Sequence, residues 1–407
     1  MTTDLLNLGS LYVSDFLAPG EEPRCPPAEM LLQMDDYGRV RLKDVVDPSF
    51  MYGRYWYRSG INESMKRDLK DVVDSILKIK PDVLSGLWLD IACNDGTLLS
   101  FVPDEVLKVG IDPVDDTFRN EALKQTEYIV QDFFSAEAYN SVMGYRADVI
   151  TCIAMFYDLD DPVPFLNDVH DVLEDDGLFV LQMSYTPLML EQNAFDNICH
   201  EHVYYYTLAS ISKLLEECGF SVLDCQLNET NGGSFRIYCV KDTADITKFG
   251  SQPYRDVASF RVQSVLDREY LNGYNGVEVW ERFSNRIDNL LHEVCGAVLN
   301  IIAEGGTVGV YGASTKGNTL LQYFGLDSVF IKYAVERSPA KFGLRTVGTN
   351  IPIISEEEMR ADPPTAMIIL PWCFQSEFIK REAEYLKQGG KFIIPCPVFK
   401  TVTADDL

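Results

Sequence analysis

The sequence predicts an α/β protein: two regions of alternating strand and helix, each building a parallel sheet, behind a small N-terminal lobe. Three observations predict it. From about residue 85 to 245, short apolar runs such as "GLWLDIA", "VLKVGID", "TEYIVQD", "ADVITCIAMF" and "GLFVLQMSY" alternate with helical patterns. A second alternation begins at "GTVGVYGASTKGNTLLQYF" and continues through "IKYAVE", "AMIILP" and "KFIIPCP". Acids stand at the ends of three successive strand candidates, Asp90, Asp112 and Asp132, on the carboxyl edge of a parallel sheet.

The elements follow in order. Residues 1–75 form the N-terminal lobe, of mixed pattern, with an aromatic knot at "FMYGRYWYRSG" (Phe50 to Gly60). Residues 76–245 form the first α/β domain. Residues 246–300 are a helical connector, in which "DREYLNGYNGVEVWERFSNRIDNLLHEVCGAVLNIIAEGG" reads as one long amphipathic helix. Residues 301–407 form the C-terminal α/β domain.

At 407 residues the chain is long enough for two or three domains with cores of their own, and 46% hydrophobic and 12% aromatic residues exclude disorder. A net charge of −27 opposes non-specific binding to nucleic acid or to anionic membrane, and an anionic ligand needs a local basic pocket. No apolar run is long enough to cross a bilayer, and the N-terminus lacks the basic and apolar regions of a signal peptide. The ten cysteines are scattered with no CxxC pair, which predicts reduced thiols and a cytoplasmic location.

The first chemical site is "WLDIACNDGTLLSF" (Trp88 to Phe101). A strand is expected to end at Asp90, a tight turn to follow and Gly96 to open a helix, so that backbone comes close to a ligand. Asp112 ends the next strand, 22 residues beyond Asp90, where an acid can accept both hydroxyls of a ribose. Asp132 ends the third, where it can meet an adenine amino group. One such acid reads equally well as a helix cap. Three at successive strand ends share the carboxyl edge of the sheet, where these folds bind ligands.

"DIACNDGTLL", "GIDP", "QDFF" and the acidic loop "CIAMFYDLDDP" together resemble the class I S-adenosylmethionine-dependent methyltransferases. "FDNICHEHVYYYTLASISKLLEECGF" followed by "NGGSFRIYC", and the C-terminal "YGASTKGNTLLQYF", "VERSPAKFGLRTVGTNIPI" and "LPWCF", resemble the sugar C-methyltransferases that act on nucleotide-linked keto-deoxysugars. The resemblance runs from about residue 50 to 400 with the motifs in the same order. It implies a class I methyltransferase Rossmann-like domain, a second C-terminal Rossmann-like domain and S-adenosyl-L-methionine as cofactor. It places the cofactor at Asp90, Ala92, Asn94, Asp95 and Gly96, at Asp112, Asp132 and Phe133, and at Cys152 and Ala154.

One feature departs from that family, whose members usually carry an N-terminal zinc ribbon with two cysteine pairs. Here "LNLGSLYVSDF" follows no first pair, "LLQMDDYGRVRL" stands where the second would be, and Cys25 is the one N-terminal thiol. A tetrahedral site needs about four soft ligands, so no structural zinc is expected.

The stretch Phe195 to Leu215 holds two of the four histidines, His200 and His202, around Glu201. The pair can be polar residues near a helix start. It can be metal ligands, although HEH is not HExxH and no further ligand cluster lies near. It can also be an acid–base site. Methylation at carbon needs a proton removed beside a ketone; an imidazole suits that task near neutrality, a carboxylate can tune it, and a tyrosine hydroxyl can donate to the enolate oxygen. By resemblance His202 is the base with Glu201 beside it, His200 is a further candidate, and Tyr57 falls in the family's active-site tyrosine region. Cys199 stands where the family often has tyrosine. Tyr204, Tyr205 and Tyr206 read chiefly as structural.

In the C-terminal domain, "GVYGASTKGNTLL" is a strand, a small-residue turn at Gly312 and a helix start carrying Lys316 and Gly317. It lacks Walker A spacing. It is either an ordinary turn with a surface lysine or a cationic cradle for the diphosphate of a nucleotide-linked sugar. Arg337 and Lys341 are possible helpers. The expected substrate-binding set is Tyr55, Asn197, Tyr204, Asn231, Lys316, Asn318, Arg337 and Lys341. The reading is a C-methyltransferase of a nucleotide-linked 4-keto-deoxysugar, monomeric or homodimeric. Its rivals are an O- or N-methyltransferase on a sugar or other small metabolite, and a non-catalytic sugar-nucleotide-binding relative.

Overall fold

Seven strands form the central sheet in the order Phe220–Asn228, Ser234–Lys241, Leu173–Ser184, Ala147–Ile153, Leu87–Ile91, Leu107–Ile111, Tyr128–Val130. The five from Leu173–Ser184 to Tyr128–Val130 are parallel, and the hairpin at the other end adds an antiparallel strand against Leu173–Ser184. The structure is a computed structural model and describes residues 2–52, 56–126 and 128–407. Tyr55, expected at the substrate site, lies outside the described residues.

The sheet forms because its strands are apolar on both faces. Leu87–Ile91 is buried along its whole length. Leu87, Leu89 and Ile91 face one core with the helices Pro162–Val172 and Leu208–Glu217. Trp88 faces the other with the helix Glu63–Ile79. That helix buries Met65, Leu69, Val72, Val73, Ile76 and Ile79, a three- and four-residue spacing that puts one stripe on the sheet.

Chain order reverses between Leu87–Ile91 and Ala147–Ile153, which makes their carboxyl ends a switch point, the place where such sheets open a ligand crevice. The C-terminal sheet repeats the device. Its order is Ile353–Ser355, Ile331–Glu336, Val308–Tyr311, Ala366–Ile369, Lys391–Ile394, Lys400–Val402, with only the last strand antiparallel. The reversal falls between Val308–Tyr311 and Ala366–Ile369, next to the helix Thr315–Phe324.

The N-terminal lobe is an antiparallel sheet of Thr3–Leu11, Ala28–Met34, Val40–Leu42 and, from far along the chain, Tyr204–Tyr205. Its apolar side chains, among them Leu6, Met30, Leu32 and Leu42, join one core with Trp280, Phe283 and Ile287 of the helix Val277–Ala303 and with the C-terminal sheet. Phe16–Leu17 pairs with Arg345–Thr346 as well. Burial of this kind, at roughly 1.5–3 kcal/mol per large side chain, holds the lobe. Cys25 is a free thiol, and among the described residues no group of three or more metal-ligating side chains stands together. Because the two cysteine pairs are missing from the sequence, purified protein is expected to contain no stoichiometric zinc on elemental analysis and to keep its activity in chelator; one zinc per chain would overturn this. Among the described residues no helix is long and apolar enough to cross a membrane.

Two expected elements differ. The single long helix of the connector is two, Gln252–Asn272 and Val277–Ala303. Gly273, left-handed at φ 67°, closes the first and Gly276 caps the second. The helix expected from Gly96 is only a 3₁₀ turn at Leu99–Phe101. Pro103 holds the preceding Val102 extended at ψ 131° and stops it.

Candidate functional site

A cavity of about 300 Å³ opens at the first switch point. Asp90, Ala92 and Asn94 line it from the end of Leu87–Ile91, Asp112 from the end of Leu107–Ile111, Ala154 from the end of Ala147–Ile153, and Phe133 from beyond Tyr128–Val130. Tyr57 and Asn231 close it from other parts of the chain. Ala92 and Ala154 hold φ of 58° and 57°, a conformation costing a non-glycine residue about 1–3 kcal/mol, at the two strand ends that flank the reversal.

Asp112 organises the turn. Its Oδ2 accepts the Asn94 amide at 2.7 Å and its Oδ1 the Val114 amide at 3.0 Å. Burial pushes its pKa up while those two amides oppose the rise. Asp90 accepts the Thr151 hydroxyl at 2.7 Å, yet burial, with the Asp112 charge adding to it, pushes its pKa up to about 7. Asn94 ties down the aromatic segment: Oδ1 accepts the Ser59 amide at 3.1 Å and Nδ2 donates to the Tyr57 carbonyl at 3.2 Å. Asp95 accepts the Gly60 amide at 2.9 Å, so it supports this cover rather than lining the cavity.

Gly96 also stands outside the lining. It has φ 77°, and a Cβ there would lie 2.8 Å from the Cα of Ala122. Gly96→Ala is expected to destabilise the protein by about 1–3 kcal/mol, since strained φ and a backbone clash add. Denaturant unfolding measures this, and an unchanged midpoint would contradict it.

These residues fit S-adenosylmethionine. Asp112 keeps acceptor capacity for a ribose diol, Val114, Phe133 and Phe134 offer apolar walls to a purine, and Asp90 offers a carboxylate to an ammonium.

Residues 198–203, which hold both histidines, are neither helix nor strand. The His202 amide donates to the Cys199 carbonyl at 3.1 Å, a turn with His200 and Glu201 at its centre. His200 points into the N-terminal lobe, beside the backbone of Leu11 and Ala28; burial pushes its pKa down to about 4, and among the described residues its Nε2 has no hydrogen-bond partner. It packs in the lobe and is not among the cavity-lining residues. His202 sits 2.7 Å through Nδ1 from the Asn197 carbonyl. A carbonyl only accepts, so Nδ1 carries the proton and Nε2 keeps its lone pair. Burial, with the Lys316 charge adding to it, pushes the His202 pKa down to about 3. Burial raises the carboxyl of Glu201. Lys316 donates to Asn197 Oδ1 at 2.6 Å.

His202, Glu201 and Lys316 are not among the cavity-lining residues. The loop 155–160 touches both places. Met155, Asp158 and Leu159 line the cavity, and the Tyr157 ring packs on His202 at 4.2 Å between centroids. These loop residues, with Phe165, were missed as site residues; the acidic "YDLDDP" was their sequence signal.

Other expected residues stand elsewhere. Cys152 is buried in the core of the sheet, not in the cavity. Asp132 is exposed, outside the lining, and accepts the next amide, that of Phe133, at 2.8 Å. Asn318 is buried and donates to the Asp15 carbonyl at 3.1 Å, fastening the lobe to the C-terminal domain. Lys341 is engaged by the Ala313 carbonyl at 2.7 Å and by Glu336 at 3.3 Å, with the Phe16 ring 4.4 Å away, and is not a free cation. Tyr204 lies at the lobe edge, its hydroxyl 3.2 Å from Arg41. Arg337 is exposed at the end of Ile331–Glu336.

Residues 61–224 match a family described as "Methyltransferase domain" and residues 229–397 one described as "C-methyltransferase C-terminal domain". A curated relative, the C-methyltransferase NovU of Streptomyces niveus, is 28% identical over 372 residues, 90% of this chain and 85% of its own length. Among solved structures, magnesium protoporphyrin IX methyltransferase (ChlM) from Synechocystis PCC 6803 with bound SAH is 16% identical, covering 47% of this chain and 90% of that one, with a TM-score of 0.35. The plantazolicin methyltransferase BamL, in complex with a triazolic desmethylPZN analog and SAH, is 13% identical over 44% of this chain and 86% of that one, with a TM-score of 0.34.

Proposed function

We propose that the chain is an S-adenosylmethionine-dependent C-methyltransferase whose small-molecule acceptor is a nucleotide-linked 4-keto-deoxysugar, methylated at a carbon alpha to the ketone. The observation that carries the proposal is the bond from His202 Nδ1–H to the Asn197 carbonyl at 2.7 Å, which leaves Nε2 as a proton acceptor. When bound, S-adenosylmethionine supplies an electrophilic methyl group.

His202 Nε2 takes the proton alpha to the ketone; the C–H electron pair passes into an enolate, and the imidazole becomes imidazolium. With the donor bound, the enolate carbon would be the nucleophile for that methyl group, whose bond to sulfur would break with its electron pair staying on sulfur, so that the donor would leave as the thioether S-adenosylhomocysteine. Tyr57 lines the cavity, and burial together with the charges of Asp95 and Asp68 pushes its pKa up. The phenol thus stays protonated and can donate to the enolate oxygen. Asn231, left-handed at φ 55°, also lines the cavity. In a chain of net charge −27, the diphosphate needs a local cation, and Arg337, exposed at the carboxyl end of its strand, is the one we assign to it.

The test is a panel of acceptors with S-adenosylmethionine: nucleotide-linked 4-keto sugars, the same sugars without nucleotide, and sugar nucleotides without a ketone. Only the first class is expected to gain a methyl group, bonded to carbon by NMR. Methylation of a sugar nucleotide without a ketone, or an oxygen-linked methyl group, would overturn the proposal.

A further inference from the structure

Lys316 and His202 belong to different sheets' surroundings, yet one residue joins them. Lys316 lies on the helix Thr315–Phe324 of the C-terminal domain, and its Nζ donates to Asn197 Oδ1 at 2.6 Å. Asn197 is 4% exposed, and its Nδ2 donates to the Ala194 carbonyl at 3.1 Å, so both ends of its amide are held. The backbone carbonyl of the same residue accepts His202 Nδ1–H at 2.7 Å. The neighbouring Asp196, also buried, accepts Trp372 Nε1 at 3.2 and 3.3 Å. Lys316 and Trp372 follow the two strands that flank the C-terminal reversal, Val308–Tyr311 and Ala366–Ile369. The 3₁₀ turn Phe195–Asn197, which anchors the imidazole, is thus gripped on two sides by the C-terminal domain.

We propose that Lys316 is a positioning residue for His202: by holding the Asn197 side chain it fixes the carbonyl that orients the imidazole, rather than cradling the diphosphate. The inference rests on His202 being the base. An ammonium committed to a buried amide is not free to follow a ligand.

The charge of Lys316 has a second effect. The titratable groups around it and His202 are Asp196 on the 3₁₀ turn, Cys199 and Glu201 on the following turn, Tyr157 and Asp158 on the loop, Tyr205 on the next strand and Cys373 beside Trp372. Burial holds the imidazole unprotonated, and the Lys316 ammonium adds to that effect. A base works in its neutral form and is lost as pH falls through its pKa. Removing Lys316 raises that pKa, so the acid limb of the rate profile moves to higher pH.

Lys316→Met, assayed with a nucleotide-linked 4-keto sugar, is expected to lower kcat by about 10²-fold, the cost of a misplaced catalytic group. KM for the sugar nucleotide should stay near wild type, the acid limb of kcat should move to higher pH, and Lys316→Arg should restore most of the rate. Asn197→Ser keeps the ammonium but removes the amide, so kcat should fall with the limb unmoved. It also serves if Lys316→Met does not fold. A large rise in KM with kcat preserved in Lys316→Met would overturn the proposal and return Lys316 to the diphosphate. Wild-type kcat in Asn197→Ser would overturn it too. His202→Asn, run in parallel, separates the two levels: if it keeps turnover, the base itself is wrong, whereas if it loses turnover and the other variants do not, only the positioning role fails.

Discussion

His202→Asn is expected to lower turnover by roughly 10²–10⁴-fold, the usual contribution of general acid–base catalysis. Asparagine is close to imidazole in reach, and its amide can still donate to the Asn197 carbonyl, so the local packing against Tyr157 changes little. What it lacks is the Nε2 lone pair. Affinity for S-adenosylhomocysteine should stay near wild type, because His202 does not line the cavity that holds Asp112. His200→Asn is the comparison. The two rings are two residues apart but occupy different surroundings, His200 beside the lobe backbone and His202 against Asn197. Replacing His200 should therefore cost stability rather than turnover. If His200→Asn slowed turnover and His202→Asn did not, the roles would be reversed.

Asp112→Ala is expected to weaken donor binding by about 10²–10⁴-fold, since two charge-assisted hydrogen bonds to the ribose, at roughly 1.5–3 kcal/mol each, are lost. Each carboxylate oxygen accepts one backbone amide already, from Asn94 or Val114, and has a further lone pair for a hydroxyl. The substitution also leaves the Asn94 amide without its partner, which loosens the turn at Ala92 to Asn94. Asp112→Asn should cost less, because one acceptor remains. Titration calorimetry with S-adenosylhomocysteine reads both. Unchanged affinity in Asp112→Ala would remove Asp112 from the cofactor site.

The central sheet was legible because strands buried on both faces are apolar throughout, as Leu87–Ile91 is. Asp112 was legible for a related reason: a carboxylate at the end of an apolar strand must face either solvent or a ligand. Asp132 obeyed the same pattern and faces solvent, because the strand before it stops at Val130 and its side chain turns back to the Phe133 amide. Cys152 and Ala154 stand two apart at a strand end, yet only Ala154 reaches the cavity, where its φ of 57° breaks the alternation that sends Cys152 into the core. That angle has no sequence signature in an alanine. The break in the connector did have one, Gly273 and Gly276 around Tyr274 and Asn275, and the apolar periodicity on either side concealed it.

The histidine stretch was the least legible. Its histidines sit in a turn, with His200 beside lobe backbone at Leu11 and Ala28, far away in sequence, so no local period describes it. Lys316 and Lys341 both read as cations available to an anion. Partners remote in sequence, Asn197 for one and Phe16 with Ala313 for the other, occupy them. The absence of the zinc cysteines was plain. The core that the lobe shares with Trp280 and the C-terminal sheet was not legible, because it depends on contacts across the whole chain.

The claim that His202 makes an enolate is tested most directly by hydrogen exchange. A nucleotide-linked 4-keto sugar is incubated in deuterated water with the enzyme and S-adenosylhomocysteine in place of the methyl donor, and the protons beside the ketone are followed by NMR. The account predicts that the wild-type enzyme replaces one alpha proton with deuterium and that His202→Asn exchanges it no faster than the enzyme-free control. Exchange at the wild-type rate in His202→Asn, or none with the wild-type enzyme, would contradict it.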